Sequence, residues 1–300
     1  MKKKILITGG TGLIGPAIVR SLLNENFDVY LVSRKPVLSI HNEKLKLITF
    51  DILAEPFENL IKKISDINII IHGASFLETK LNFENLQIHR KFIEFTEKLF
   101  SFSGKSQKES LLIYLSSFAF LKRPLEKIIT EEHPVCAINP YSINKYWGEL
   151  VLFNLPNKNI RPVSLRISSP VSDDINQMPD TVVKKWISQV SVGNSVKVYG
   201  SGKRTQDFVS TIDIAKAVIQ IIKNNNARGT YNITSGTSVS MNELAEIIAD
   251  KFSAKIIHCG EDVNENDRWN ISIKKSQNEF NYNPIFTSKQ AIENLLNKII

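Results

Sequence analysis

Six short, nearly continuous apolar runs are spread along the first part of this 300-residue chain. They are Ile5–Thr8, Val29–Val32, Leu47–Phe50, Ile67–His72, Leu111–Ser116 and Val163–Ile167. Apolar residues that run on without strict alternation belong to strands covered on both faces. Between them lie segments with helical spacing, such as Ala17, Ile18, Ser21 and Leu22, or Phe92, Ile93, Phe95 and Leu99. Strands alternating with helices predict an α/β fold built on a doubly wound parallel sheet. A sheet of that kind binds its ligands at the carboxyl ends of its strands.

After Ser168 the alternation fades, and Pro170 and Pro179 interrupt the chain. The spacing then predicts a helix over Val182–Val190, a turn at Gly193-Asn194 and a strand over Val196–Tyr199. A short strand feeding a helix is expected over Asp207–Ile222, ended by Asn224-Asn225-Asn226. A strand at Tyr231–Thr234 and helices at Met241–Phe252 and Ser288–Lys298 come next. No low-complexity linker and no internal repeat separates the parts. The expected organisation is residues 1–170 as a nucleotide-binding domain and residues 171–300 as a smaller α/β substrate-binding region packed on it, with some segments returning to the first.

Composition narrows the function classes. Hydrophobic residues make up 42% and charged residues 23% of the chain, which suits a globular enzyme. No apolar run approaches the ~18 residues of a membrane span. The start, Met1-Lys2-Lys3-Lys4, resembles a signal-peptide n-region, but Gly9, Gly10 and Gly12 break the apolar segment after it, so a cytoplasmic protein is expected. The net charge of +8 comes from 38 basic and 30 acidic residues, dispersed without an arginine–aromatic stripe. Nucleic acid is therefore not an expected partner, whereas an anionic small molecule is. Cys136 and Cys259 lack metal-ligand spacing and are expected to be free, buried thiols; no metal site is predicted.

The first strand runs into "ILITGGTGLIG", with Gly9, Gly12 and Gly15 three apart and Leu13 and Ile14 between the last two. Glycines there permit a tight turn and a close backbone approach, and a helix N-terminus offers N–H groups to a pyrophosphate. Pro16 fits a first helical turn, so the helix is expected to start near Gly12. The pattern Thr8-Gly9-x-x-Gly12-x-x-Gly15 resembles that of the extended short-chain dehydrogenase/reductase family, in its nucleotide-sugar branch. The resemblance runs along nearly the whole chain and implies a Rossmann fold. It implies that Gly9, Gly12, Leu13, Ile14 and Gly15 hold the NAD(P) pyrophosphate. Asp51 and Ile52 in "TFDIL" match the family's adenine contact, and Ala74 in "IHGAS" its cofactor-side stretch. At the end of the second strand Ser33 replaces the Asp that would accept from a ribose 2′-OH, and Arg34 and Lys35 come directly after it. A hydroxyl and two cations suit a 2′-phosphate, so NADP is expected, with NAD as the alternative.

In "NPYSINKYWGE", Asn139 reads as an N-cap and Pro140 as the first helical residue. Tyr141 and Lys145, four apart, then share one helix face. By resemblance Tyr141 transfers the hydroxyl proton, Lys145 holds the nicotinamide ribose and tunes Tyr141, and Ser117 in "IYLSSFAF" orients the reacting oxygen. "LRISSPV" resembles the family's next strand, with Ser168 and Ser169 where Asn is common. "GSGKRTQDFVSTIDIAKA" and "NDRWNISIKKSQNEFNYNP" resemble segments approaching the nucleotide sugar. They supply Arg204 and Arg268 as candidates for its diphosphate, and Asp213 as a helix start.

The chain departs from the family pattern in places. The 4,6-dehydratases carry an Asp-Glu pair after the reactive hydroxyl residue, whereas Phe118-Ala119 comes after Ser117, so a dehydratase is not expected. Phe120-Leu121-Lys122 replaces a common "VYG", and Gln87 stands where an Asn organises the active-site water. The preferred expectation is an NADPH-dependent 4-keto-sugar reductase acting on a nucleotide-diphosphate sugar. The alternative is a 4-epimerase with tightly bound NAD; a hydride-transfer enzyme for another ketone and a non-catalytic NADP sensor are more remote. The family commonly pairs through the helix carrying Tyr141 and the long helix before it, which implies a homodimer.

Overall fold

The structure, a computed structural model, describes residues 3–35, 40–78, 80, 82–103, 110–125, 127–156 and 159–299. Met1 and Lys2, half of the basic start, lie outside the described residues. The chain opens with β1 (Lys4–Thr8), α1 (Gly15–Asn24), β2 (Asp28–Ser33), β3 (Leu45–Thr49), a short α2 (Phe57–Ile61) and β4 (Ile69–His72). The long α3 (Phe83–Ser103), β5 (Ser110–Ser117), a 3-10 turn (Phe118–Phe120), α4 (Pro140–Phe153) and β6 (Ile160–Ile167) come next. The remainder comprises β7 (Ser169–Val171), α5 (Val182–Gly193), β8 (Ser195–Tyr199), β9 (Thr205–Gln206), β10 (Phe208–Ser210) and α6 (Thr211–Lys223). It ends with β11 (Gly229–Ile233), β12 (Val239–Ser240), α7 (Met241–Phe252), β13 (Lys255–Cys259), α8 (Lys274–Phe280) and α9 (Ser288–Leu296).

Seven strands form one sheet in the order β11-β6-β5-β4-β1-β2-β3. The pairs β1–β2, β1–β4, β2–β3 and β4–β5 are all parallel. Strand order reverses at β1, which lies between β2 and β4, so the carboxyl ends of β1 and β4 flank the switch point where α/β sheets bind ligands. Alternate residues serve opposite faces. Leu6, Tyr30, Val32, Ile70, Leu112 and Tyr114 join Phe95, Leu99 and Phe100 of α3 and Leu152 of α4 in one core. On the other face, Gly10 lies against Leu31, Ile7 and Val19 of α1. This is the doubly wound parallel architecture predicted from the alternation, and the Rossmann-like fold that the resemblance implies.

The chain separates into two compact units. The first holds Met1–Leu121, Val135–Arg166 and Ala215–Tyr231; the second holds Lys122–Pro134, Ile167–Ile214 and Asn232–Ile300. The division falls after Arg166 rather than at residue 170, and the segment Lys122–Pro134 belongs to the second unit, an exchange that local sequence patterns do not signal. In the first unit, buried Arg161 of β6 donates to the carbonyls of Asn224 (2.8 Å) and Ala227 (2.9 Å). It thereby satisfies acceptors just past the end of α6. In the second unit, buried Asp207 accepts from the Ser168 hydroxyl (2.7 Å) and from the N–H and hydroxyl of Ser235 (both 3.0 Å).

Several boundaries differ from expectation. Helix α1 begins at Gly15 rather than Gly12, because Gly12 N–H closes a turn on the Gly9 carbonyl (3.1 Å) first. Strand β4 begins at Ile69, since Asp66 has φ +54° and the Asn68 side chain accepts from Lys4 N–H. Helix α5 runs through Gly193, and Asn194 in the left-handed region (φ +48°) closes it. The two cysteines are free thiols but not buried ones: Cys136 is exposed and Cys259 partly so, at the end of β13, whose first four residues are exposed. Among the described residues no helix is long and apolar enough to cross a membrane.

Candidate active site

The switch point carries the glycine turn. Gly9 has φ +75°, and a Cβ there would sit 2.5 Å from the Gly73 carbonyl carbon and 2.6 Å from Ala74 N. The loops after β1 and β4 therefore touch backbone to backbone. Gly15 packs as closely, with a Cβ site 2.3 Å from Gly10 Cα. Helix α1 then starts with no side-chain cap at Ile14, no acidic residue in its first turn, and Pro16 where the missing N–H costs nothing. The unsatisfied first-turn N–H groups and the positive end of the helix dipole are thus left for an anion, the arrangement a dinucleotide pyrophosphate requires. Leu13 and Ile14 lie in this turn, and Ala74 N–H points at Thr8 Oγ1 (3.4 Å) across it.

Other sequence candidates lie just after β2 (Asp28–Ser33) and β3 (Leu45–Thr49). Asp51 is occupied in a local turn: its carboxylate accepts from Leu53 N–H (2.9 Å) while its own N–H donates to Glu55. Beyond it, a groove of about 400 Å³ is lined by Leu53, Phe83, Glu84, Gln87, Ile88 and Lys91. Gln87, assigned by resemblance to a water-organising role, is exposed there. Ile52, next to Asp51, is partly buried. The Ser33 hydroxyl donates to the Lys35 carbonyl (2.8 Å) and receives Lys35 N–H (3.3 Å), so it is engaged in its own turn rather than held ready for a ligand. Arg34 and Lys35 are exposed.

The hydroxyl cluster forms where β5 ends. Asn139 and Ser142 make a capping box (Ser142 N–H to Asn139 Oδ1, 2.9 Å), with Pro140 in the first helical turn, and so set Tyr141 there. Gly148 lets α4 lie against β5: a Cβ there would be 2.4 Å from the Tyr114 ring. Tyr141 hydrogen-bonds Ser117, whose Oγ also accepts Ala119 N–H (3.1 Å). Lys145 Nζ donates to the Leu115 carbonyl (2.8 Å) and lies 5.9 Å from the centre of the Tyr141 ring. Tyr141, Ser117 and Lys145 are thus brought together.

Their electrostatics differ from the sequence-based expectation. Burial lowers the Lys145 pKa to about 7, so it is not a full ammonium at neutrality. Burial raises the Tyr141 pKa above that of an ordinary phenol, and the Ser117 hydrogen bond opposes this only in part. The chain by itself therefore keeps Tyr141 protonated, a proton donor, and the partly neutral lysine pulls on it weakly.

Sequence reasoning missed the groups behind this cluster. Glu149, one turn beyond Lys145, is buried and pairs with Arg166 of β6 (2.8 Å) while accepting the Ser164 hydroxyl (2.8 Å). The spacing Tyr141–Lys145–Glu149, every four residues on one helix face, was the available signal. His72 is also buried, bonded to Thr8 and Thr96, and its pKa falls to about 3, chiefly through burial and secondly through Lys145. A depressed histidine pKa stabilises the fold above the unfolded value near 6.5, and this contribution is lost as pH falls toward 3. The His72 ring resonances should stay flat from pH 8 to pH 4 in a nuclear magnetic resonance titration. A His72 midpoint near the ordinary histidine value would contradict this.

The two arginines belong to the second unit. Arg204 Nε donates to Asp262 (2.7 Å) and its Nη1 to Gln206 (3.0 Å), so a carboxylate already balances its charge. Arg268 Nη1 donates to the carbonyls of Glu265 (2.8 Å) and Asp267 (3.0 Å), which leaves its positive charge uncompensated by these bonds. Asp213 lies in the first turn of α6, where its carboxylate accepts from Ile285 and Phe286 N–H.

A glycine turn at the switch point and a Tyr–Ser–Lys cluster at the end of β5 are together the arrangement expected of a nicotinamide-dependent oxidoreductase. The family model described as the NAD dependent epimerase/dehydratase family matches residues 5–234, and the chain belongs to that family. A putative UDP-glucose 4-epimerase of Methanocaldococcus jannaschii is 26% identical over 98% of this chain and 97% of its own length. The dTDP-D-glucose 4,6-dehydratase of Homo sapiens is 27% identical over 81% of this chain and 72% of its own. Among solved structures, MoeE5 in complex with UDP-glucuronic acid and NAD superposes with a TM-score of 0.84 at 19% identity, covering 98% of each chain.

Proposed function

We propose that this protein is a nucleotide-sugar 4-epimerase that keeps its NAD through turnover. The observation that carries the proposal is the hydroxyl pair, Tyr141 bonded to Ser117, with Phe118 and Ala119 directly after it. Epimerisation needs one proton taken from the C4 hydroxyl and one returned; Tyr141 would serve for both, since the positive charge of an oxidised nicotinamide beside it would offset the burial that keeps its proton on. Elimination of water needs a further acid and base, and neither Phe118 nor Ala119 supplies one. Dehydratases nonetheless stand among the relatives, which lend no weight to excluding that chemistry. The reductase preferred from sequence gives way because epimerases recur among the relatives and because Ser33 is engaged in its own turn. A sensor would leave the Tyr141–Ser117 pair without a task.

A nicotinamide held beside this cluster would supply the hydride acceptor and donor. Tyr141 moves the proton at the sugar oxygen, Ser117 orients that oxygen, and Lys145 reaches the nicotinamide ribose. Gly9, Gly12, Leu13, Ile14 and Gly15 hold the pyrophosphate; Asp51 and Ile52 flank the adenine, and Ala74 borders the cofactor. Arg268 is the stronger candidate for the substrate diphosphate, since an anion at Arg204 competes with Asp262. NADP binding, where it occurs, goes through Arg34. Arg34→Ala should weaken NADP about 10–100-fold, the loss of one charge-assisted hydrogen bond, and leave NAD unchanged. Equal losses by isothermal titration would refute that role.

The partner we propose is a second copy of this chain. Ile143, Trp147 and Leu150 form an exposed apolar stripe on α4 (46, 41 and 39% exposed), and Trp147 Nε1 bonds Glu97 of the adjacent α3. Light scattering should give twice the chain mass, and the double substitution Ile143→Glu, Trp147→Glu should give the monomer. A monomeric wild-type protein would refute the pairing.

A further inference from the structure

A chain of hydrogen bonds with a fixed direction runs beneath the glycine turn. Thr96 Oγ1, on α3, donates its only proton to the Phe92 carbonyl one turn back (2.8 Å). Its 2.9 Å contact with His72 Nε2 must then be accepted, so Nε2 carries the hydrogen. In a neutral ring Nδ1 is left as the acceptor, and Thr8 Oγ1, 2.6 Å away, must donate to it. Thr8 Oγ1 in turn faces Ala74 N–H, and the Thr8 carbonyl accepts Gly73 N–H (3.0 Å). The imidazole is held among the rings of Phe95, Phe100 and Tyr114, with centroids 5.5–5.9 Å away. The groups that face it from the packed elements are thus Thr8, Thr96, Tyr114 and, electrostatically, Lys145.

We propose that His72, locked as its Nε2–H tautomer by Thr96, is a positioning residue for the dinucleotide turn. By fixing the Thr8 hydroxyl it sets the two loops, at Gly9 and at Gly73-Ala74, that meet with no room for a Cβ. In the opposite tautomer Nδ1 would donate to Thr8 Oγ1, the Thr8 proton would no longer be directed by the ring, and Nε2 would have no hydrogen to give Thr96. The proposal rests on the reading that this turn holds a dinucleotide.

The test combines imidazole nitrogen shifts of ¹⁵N-labelled protein with NAD titrations. Wild-type His72 should show a protonated Nε2 and an unprotonated Nδ1. Thr96→Val should mix the tautomers and weaken NAD about tenfold, the scale of one buried hydrogen bond. Thr96→Ser should restore both, and Thr8→Val should weaken NAD while leaving the Nε2–H tautomer in place. This last variant keeps the test open if Thr96→Val fails to fold. A protonated Nδ1 in the wild type would overturn the proposal, as would mixed tautomers in Thr96→Val with NAD affinity unchanged. A wild-type protein that binds neither NAD nor NADP would overturn the dinucleotide reading instead, and the nitrogen shifts would still decide the tautomer.

Discussion

Tyr141→Phe is expected to lower kcat by about 10²–10⁴-fold while folding and NAD affinity survive. The substitution removes one oxygen and almost no volume. The structure explains why no neighbour takes over. Ser117 is a poor proton donor already bonded to Tyr141 and to Ala119 N–H. Lys145 points to the Leu115 carbonyl and is partly neutral near pH 7. Ser117→Ala should cost less than Tyr141→Phe, since it removes an orienting bond, and Lys145→Met should lower both kcat and cofactor affinity. Single-turnover hydride transfer, monitored by nicotinamide absorbance, separates these effects. Near-wild-type transfer in Tyr141→Phe would place the group that takes and returns the proton elsewhere.

Gly9→Ala is expected to damage both the fold of the first unit and its dinucleotide turn. The residue sits at φ +75°, which costs an L side chain roughly 1–2 kcal/mol. The new Cβ would also meet backbone, not a movable side chain, at 2.5 Å. Overpacking typically adds ~1–3 kcal/mol, so a total loss of about 2–5 kcal/mol is expected, with the loops after β1 and β4 forced apart. Urea unfolding should show the loss, and NAD titration should show weakened binding alongside it. Unchanged stability with unchanged NAD affinity would mean that the two loops do not meet as described.

The parts of this molecule legible in sequence are those set by neighbours along the chain. The continuous apolar runs locate β1, β2, β5 and β6, because a strand covered on both faces leaves no polar alternation to confuse. Helix α7 appears with its full bounds, Met241–Phe252, framed by the Ser240 capping box. Asn139, Pro140 and the four-residue spacing announce the start of α4 and the shared face of Tyr141 and Lys145. What stayed hidden depends on partners far away in sequence. Strand β13 is mostly exposed and exists through its pairing with β8, some sixty positions earlier, as in Lys255 with Ser195. His72 looks like an ordinary strand end until Thr8 and Thr96 close on it. The Ser33 hydroxyl looks available for a phosphate until its turn with Lys35 is seen. The state of Lys145 is likewise invisible, since burial, not spacing, decides its charge.

Proton magnetic resonance of purified protein mixed with nucleotide-diphosphate sugars, with no cofactor added, tests the central claim most directly. UDP-glucose, UDP-N-acetylglucosamine and UDP-glucuronic acid form the starting panel, extended to the corresponding dTDP and CDP sugars. The account predicts that at least one sugar equilibrates with its C4 epimer, that no water is lost, and that equilibration stops in Tyr141→Phe. Signals of a deoxy-keto sugar, or turnover only of a 4-keto sugar with stoichiometric consumption of added NADPH, would contradict it.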